Sequence, residues 1–97
     1  MKKISVIRFK PKAGHQDDFV HAMSNFMDGK SHPGQHQQFI GVMGDEVISV
    51  VVRDSDYIKE SAAEGVEWLN TVRHMLEEYN ESDRHTIPMT ADLVKEI

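Results

Sequence analysis

His36 and Arg53 are the two side chains whose types and positions most directly suggest chemistry. An imidazole can accept a proton near neutral pH, and a guanidinium can stabilise the anion that is left behind. A hairpin turn centred at Gly44-Asp45 places His36 opposite Arg53 on one face of the predicted sheet. A few polar groups on an apolar face are typical of a small-molecule pocket. The alternative is that both side chains lie hydrated at the open end of the sheet.

Aromatic residues and a second histidine complete the set of candidate site residues. Trp68 and Tyr57 share one flank of a predicted helix, where they either hold a flat substrate or close the edge of the core. His15 begins another helix on its buried side, so it either points into a pocket mouth or covers the helix end. We therefore predict His36 and His15 as bases. The predicted substrate-binding residues are Trp68, Arg53, Tyr57 and Phe39.

Other kinds of site find no support in the sequence. The chain has no cysteine, so it can form no disulfide, thiolate nucleophile or cysteine-based metal centre. His32 and His36 are four residues apart, but Pro33-Gly34 places them in a loop with no nearby carboxylate. The G-x-S-x-G nucleophile pattern and a glycine-rich phosphate loop are both absent. We expect neither a metal nor another cofactor.

Length and charge narrow the class of protein further. Ninety-seven residues are enough for one domain, residues 1–97, with a small core. The net charge of −5 argues against nucleic acid or an anionic membrane as a partner, since both attract basic surfaces. No stretch is long enough to span a membrane or to form a signal-peptide core. A cytoplasmic location is the default expectation.

Periodicity predicts four strands and two helices in the order β-α-β-β-α-β. Pro88 inside the last strand indicates an edge strand or a bulge. This order is that of an α+β, ferredoxin-like fold, with two helices on one face of a four-stranded antiparallel sheet. The predicted elements are, in order, Ile4–Lys10, His15–Asp28, Gln37–Met43, Glu46–Arg53, a helix from about Asp56 to Tyr79, and Thr86–Val94.

The hairpin is apolar on both of its faces. One face carries Phe39 and Val50, and the other carries Ile40 and Val51. A strand with one solvated face should alternate apolar and polar residues, and these strands do not. Two helices can cover only one face of the sheet. We therefore expect the other face to meet a second copy of the chain in a homodimer.

The chain resembles the dimeric α/β-barrel superfamily that includes the antibiotic-biosynthesis monooxygenases. The resemblance covers nearly the whole length. It rests on the element order, on Pro11-Lys12-Ala13-Gly14 leading into the first helix with Phe19, on Arg53-Asp54-Ser55, and on Trp68 before a short last strand. It implies a homodimeric α/β barrel with a pocket between sheet and helices. Some members oxidise polycyclic phenols with dioxygen and no added cofactor, whereas others degrade haem.

Two positions argue against the haem-degrading branch, which carries an asparagine on the first strand and a histidine three turns after the tryptophan. Ser5 and Ile7 stand where the asparagine is expected, and Glu78 lies ten residues after Trp68. The sequence therefore predicts a small-molecule-binding dimer, with cofactor-independent oxygenation of a phenol-like aromatic as its candidate activity. There, His36 or His15 would be the base and Arg53 the anion stabiliser. The alternatives are a non-catalytic dimeric ligand- or protein-binding module, and a scaffold whose pocket is filled by Phe39, Met43 and Met89.

Overall fold

A computed structural model describes residues 1–97 and confirms the predicted ferredoxin-like architecture. Four antiparallel strands form one sheet in the order β2-β3-β1-β4, and two helices cover one of its faces. Single turns of 3-10 helix, Ser55–Tyr57 and Arg73–Met75, flank the second helix. The elements are β1 Lys2–Phe9, α1 Gln16–Asp28, β2 Gln35–Met43, β3 Glu46–Asp54, α2 Ile58–Val72 and β4 Thr86–Asp92. No helix is both long and apolar enough to cross a membrane.

The β2–β3 hairpin has the predicted register near its turn but not at its far end. Gly44 has a φ of 62°, which glycine adopts without strain, and Phe39 pairs with Val50 as expected. A bulge then interrupts the ladder, and it is Gln35 that pairs with Arg53. The prediction that His36 faces Arg53 was therefore wrong. The bulge inserts one residue, and one residue is enough to reverse which face a side chain takes.

The core lies between the sheet and the two helices. Both the sheet and the helical side contribute fully buried residues to it: Val47 from β3, Phe19 and Met23 from α1, and Leu76 after α2. Phe9 contacts Phe19 with ring centroids 5.1 Å apart. These contacts place the apolar face of α1 against the sheet, as expected for an amphipathic helix.

Helix α2 ends earlier than its periodicity predicts. It stops at Val72 rather than near Tyr79, and Leu76 then forms a β-bridge with Pro11. The backbone of this segment pairs with the chain after β1, since Lys12 N–H donates to the Met75 carbonyl and Glu77 N–H to the Lys10 carbonyl. These bonds satisfy the backbone without a helix and let Leu76 become almost completely buried.

The sheet face that points away from the helices is apolar and uncovered within one chain. Phe39, Val50, Val6 and Met89 form one row across all four strands. Phe39 and Met89 are 55% and 56% exposed, which is high for large apolar side chains. We call this surface the open face. Phe39 and Met89 therefore do not fill the interior, and neither does Met43, which is exposed on the same face.

A polar cluster stands at one end of the open face. Glu46 accepts two hydrogen bonds from the Arg8 guanidinium and a third from the Tyr79 hydroxyl. The bonds from Arg8 and then from Tyr79 lower the pKa of the Glu46 carboxyl. Burial and the neighbouring Glu46 raise the pKa of the Tyr79 hydroxyl, so it remains a donor at physiological pH.

Replacing Glu46 with glutamine should lower the stability of the protein more at pH 7 than at pH 3. The pKa of Glu46 is lower in the folded chain than in the unfolded chain, where it is about 4.3. Its stabilising contribution is therefore present above that value and is lost as the pH falls through the folded pKa. Thermal unfolding followed by circular dichroism at both pH values measures the difference. Glu67→Gln, on the exposed surface of α2, is the control. If Glu46→Gln lowers the Tm of the protein by the same amount at pH 7 and at pH 3, the assignment is contradicted.

Candidate functional site

A cavity of about 350 Å³ lies between the helix-covered face of the sheet and the two helices. Its floor is formed by two rows of paired residues that run across the strands, and its walls come from both helices. The floor rows are Gln38–Val51–Ser5–Thr90 and, in part, Ser49–Ile7–Pro88. This size is within the range of small-molecule sites in proteins.

Arg53 forms the polar end of the cavity. It lies near the end of β3 on the helix-covered face and is 9% exposed. Its Nη1 donates to Ser61 Oγ at 2.8 Å, and its Nη2 donates to Ser5 Oγ at 2.6 Å. Ser5 Oγ in turn lies 3.1 Å from Thr90 Oγ1. Because Ser5 accepts from Arg53, its own hydroxyl proton is available to Thr90.

No carboxylate of the chain neutralises Arg53. The hydrogen-bond acceptors of its guanidinium are neutral hydroxyls, and its buried Nε has no acceptor. Burial lowers the pKa of Arg53, but an arginine stays protonated in proteins. The chain therefore holds a buried positive charge that is only partly compensated, which is an unfavourable arrangement unless something else completes it.

Stacked aromatic rings form the apolar end of the cavity. The ring centroids of Trp68 and Phe26 are 4.9 Å apart, with only 13° between the ring planes. Trp68 also contacts Phe19. The Lys30 ammonium lies 5.0 Å from the centre of the Phe26 ring and pairs with the Glu64 carboxylate. Burial, followed by the nearby Arg53, lowers the pKa of Lys30. These rings offer a flat surface against which a planar molecule can stack.

Helix α2 connects the two ends of the cavity. Ser61, Gly65 and Trp68 follow one another at spacings of four and three residues, so they lie on the same face of the helix. Seven residues of α-helix rise about 10 Å, which is the approximate separation of the polar and aromatic ends along the helix. The cavity is therefore polar at one end and aromatic at the other.

The structure brings together only two of the six predicted site residues. Arg53 and Trp68 both line the cavity. His36 lies outside it because the bulge turns its side chain toward Asp54, with 2.7 Å between Nε2 and Oδ1. This hydrogen bond lowers the pKa of Asp54.

The remaining three predicted residues also lie outside the cavity. His15 is the residue before α1 and is not among the lining side chains. Tyr57 is buried and stacks on His32 at 3.7 Å. Phe39 is on the open face, on the opposite side of the sheet. No histidine, tyrosine, aspartate or glutamate lines the cavity.

Several cavity residues were missed from the sequence. Ser5 pairs with Val51 and Ser49 pairs with Ile7 on the helix-covered face, and a polar residue beside apolar ones on a buried face was the available signal. Gly65 also borders the cavity, because apart from its own stretch of α2 no atom lies within 4 Å of the place where a Cβ would stand.

Comparison with known proteins identifies the fold. No protein-family model matches the chain, and no curated protein matches it either. Solved structures do match. A protein from Chloroflexus aurantiacus J-10-fl assigned as an antibiotic biosynthesis monooxygenase superposes with a TM-score of 0.74 at 12% identity, covering 100% of this chain and 97% of that one. This chain has the same fold as that protein.

Two further structures support the same fold. A protein of unknown function from Nitrosomonas europaea gives a TM-score of 0.78 at 11% identity, over 99% of this chain and 92% of that one. A mutant of SnoaB, a cofactor-independent oxygenase from Streptomyces nogalater, gives 0.66 at 12% identity, over 99% and 96%. The resemblance drawn from the sequence is thus confirmed for the fold. At these identities, activity has to be argued from the cavity itself.

Proposed function

We propose that this protein binds a small planar molecule in its cavity and oxygenates a phenol-like aromatic with dioxygen, without a cofactor. The observation that supports the proposal is the cavity itself, about 350 Å³, with stacked Trp68 and Phe26 at one end and buried Arg53 at the other. SnoaB, which has the same fold, is described as a cofactor-independent oxygenase.

The lining residues limit how the reaction could proceed. A phenol must lose its proton before its ring becomes electron-rich enough to react with dioxygen. Because no carboxylate or imidazole lines the cavity and the Lys30 ammonium already pairs with Glu64, the proton has to pass to water, and the positive charges of Arg53 and Lys30 favour the anionic form of the substrate. One oxygen atom enters the product, and the other leaves as water with two hydrogens removed from the substrate. The reaction therefore needs no external reductant.

An oxygen electrode tests this function directly. We expect oxygen uptake above the uncatalysed rate with some members of a panel of bicyclic and tricyclic phenols, hydroxyanthrones included. Trp68 is the only tryptophan, so its indole N–H gives a single cross-peak in a two-dimensional 1H–15N NMR spectrum. This cross-peak should shift when the same compounds are added. A shift without oxygen uptake would support the second candidate, a non-catalytic binding protein. The absence of any carboxylate, imidazole or phenol side chain from the lining favours that candidate.

We also propose that the protein is a homodimer joined through the open face. The row of Phe39, Val50, Val6 and Met89 supports this, because a large exposed apolar surface is a common feature of protein interfaces. Packing two open faces together would bury these side chains and complete a barrel of two sheets.

A further inference from the structure

The charges that border the cavity are all positive, although the chain as a whole is acidic. Lys30 and Arg53 are the only charged residues in the lining, whereas the net charge of the chain is −5. Lys30 already has a carboxylate partner in Glu64, and Arg53 has none. The charge left uncompensated in the cavity is therefore that of one guanidinium.

The hydrogen-bonding capacity of Arg53 is only partly used. A guanidinium has five N–H donors, and in this chain serine hydroxyls accept from Nη1 and Nη2 while Nε has no acceptor. Ser61 Oγ accepts from Arg53, so its own proton remains free to donate to another acceptor. The site therefore offers N–H and O–H donors, and no negatively charged group of the chain accepts from Arg53.

The rest of the cavity suits an aromatic body. Trp68, Phe26 and Met23 form the far wall, about 10 Å from Ser61 along α2. An anion alone would leave this apolar surface unused, and an uncharged hydrocarbon would leave Arg53 without a counter-ion.

We propose that the natural ligand is an aromatic carboxylate, whose oxygens accept hydrogen bonds from Arg53 and Ser61 while its ring lies against Trp68. The inference rests on the proposed small-molecule function and specifies the class of ligand. An oxyanion paired with a buried guanidinium supplies both the missing charge and the missing acceptor.

Two isosteric probes test the class of ligand on the unmodified protein. 2-Naphthoate carries the charge, and 2-naphthamide has nearly the same shape without it. By equilibrium dialysis, 2-naphthoate should bind at least about tenfold more tightly, since charge-assisted bonds to a buried group are stronger than neutral ones. Both probes should shift the indole N–H cross-peak of Trp68, which locates them in the cavity.

Substitutions test whether Arg53 causes the preference for 2-naphthoate over 2-naphthamide. Arg53→Gln should remove the advantage of 2-naphthoate while leaving the affinity for 2-naphthamide nearly unchanged. Arg8→Gln is the matched control, because Arg8 lies on the open face and pairs with Glu46. It should leave both affinities unaltered. If Arg53→Gln does not fold, the comparison of the two probes on the unmodified protein still decides the proposal.

The outcomes separate this inference from the proposed function. Equal affinity for the two probes, or tighter binding of the amide, would overturn the carboxylate assignment while leaving a small-molecule cavity in place. A preference that survives Arg53→Gln would also overturn it. Failure of both probes to bind or to move the Trp68 signal, at millimolar concentration, would overturn the inference together with the cavity's proposed role.

Discussion

Replacing Gly65 with leucine is expected to abolish ligand binding while leaving the protein folded. Gly65 lies in the middle of α2 and borders the cavity, and apart from the helix around it no atom lies within 4 Å of a Cβ placed there. A leucine side chain would therefore occupy cavity space without displacing the sheet. Removing glycine from a helix interior also favours the helix by up to about 1 kcal/mol. Affinity for 2-naphthamide, measured by dialysis, should fall at least about 100-fold, or about 2.7 kcal/mol.

Ala63→Leu provides the matched control for this experiment. Ala63 is exposed on the same helix and does not line the cavity, so its replacement should change neither affinity nor fold. Gly65→Ala adds only one methyl group and should raise the melting temperature while narrowing the cavity slightly. Unchanged binding by a well-folded Gly65→Leu protein would place the ligand elsewhere.

Replacing Phe39 with aspartate should convert the protein from a dimer to a monomer. Phe39 is 55% exposed on the open face, so the single chain should tolerate a charge at this position. In the proposed dimer the same carboxylate would be buried without a partner, which is strongly unfavourable. Light scattering at micromolar concentration should then give about half the mass of the unmodified protein.

Val42→Asp tests whether the effect belongs to the open face. Val42 is on the same strand with nearly the same exposure, 57%, but its paired position with Val47 places it on the other face of the sheet. We expect Val42→Asp to remain dimeric. Dissociation by both substitutions would assign the interface to the hairpin tip, and a monomeric unmodified protein would refute the dimer altogether.

The fold could be predicted because its signals are local. The β-branched residues of β1 and β3, the helical spacing of the apolar residues in α1 and the Gly44-Asp45 turn each depend on residues close in sequence. The end of α2 was misplaced because the bridge between Pro11 and Leu76 joins segments that are far apart in the chain. The periodicity of apolar residues within α2 does not indicate a partner from another part of the chain.

The candidate site was predictable only in part for the same reason. Arg53 and Trp68 stood out as an arginine on an apolar face and a lone tryptophan. The partners of Arg53, Ser5 and Ser61, come from β1 and α2, and only the folded chain brings them together. The position of His36 was predicted wrongly because the bulge adds one residue to β2, and the residue types there do not reveal it.

Because of the bulge in β2, the residue that lies opposite Arg53 depends on the number of residues at the start of that strand. One extra residue places Gln35 opposite Arg53 and sends His36 toward Asp54. Deleting Gln35 would restore a regular ladder in which His36 occupies the position opposite Arg53. A single-codon deletion could therefore give the cavity an imidazole, without any amino-acid substitution. In this chain, the number of residues at the start of β2 therefore decides whether an amide or an imidazole lies opposite the buried guanidinium.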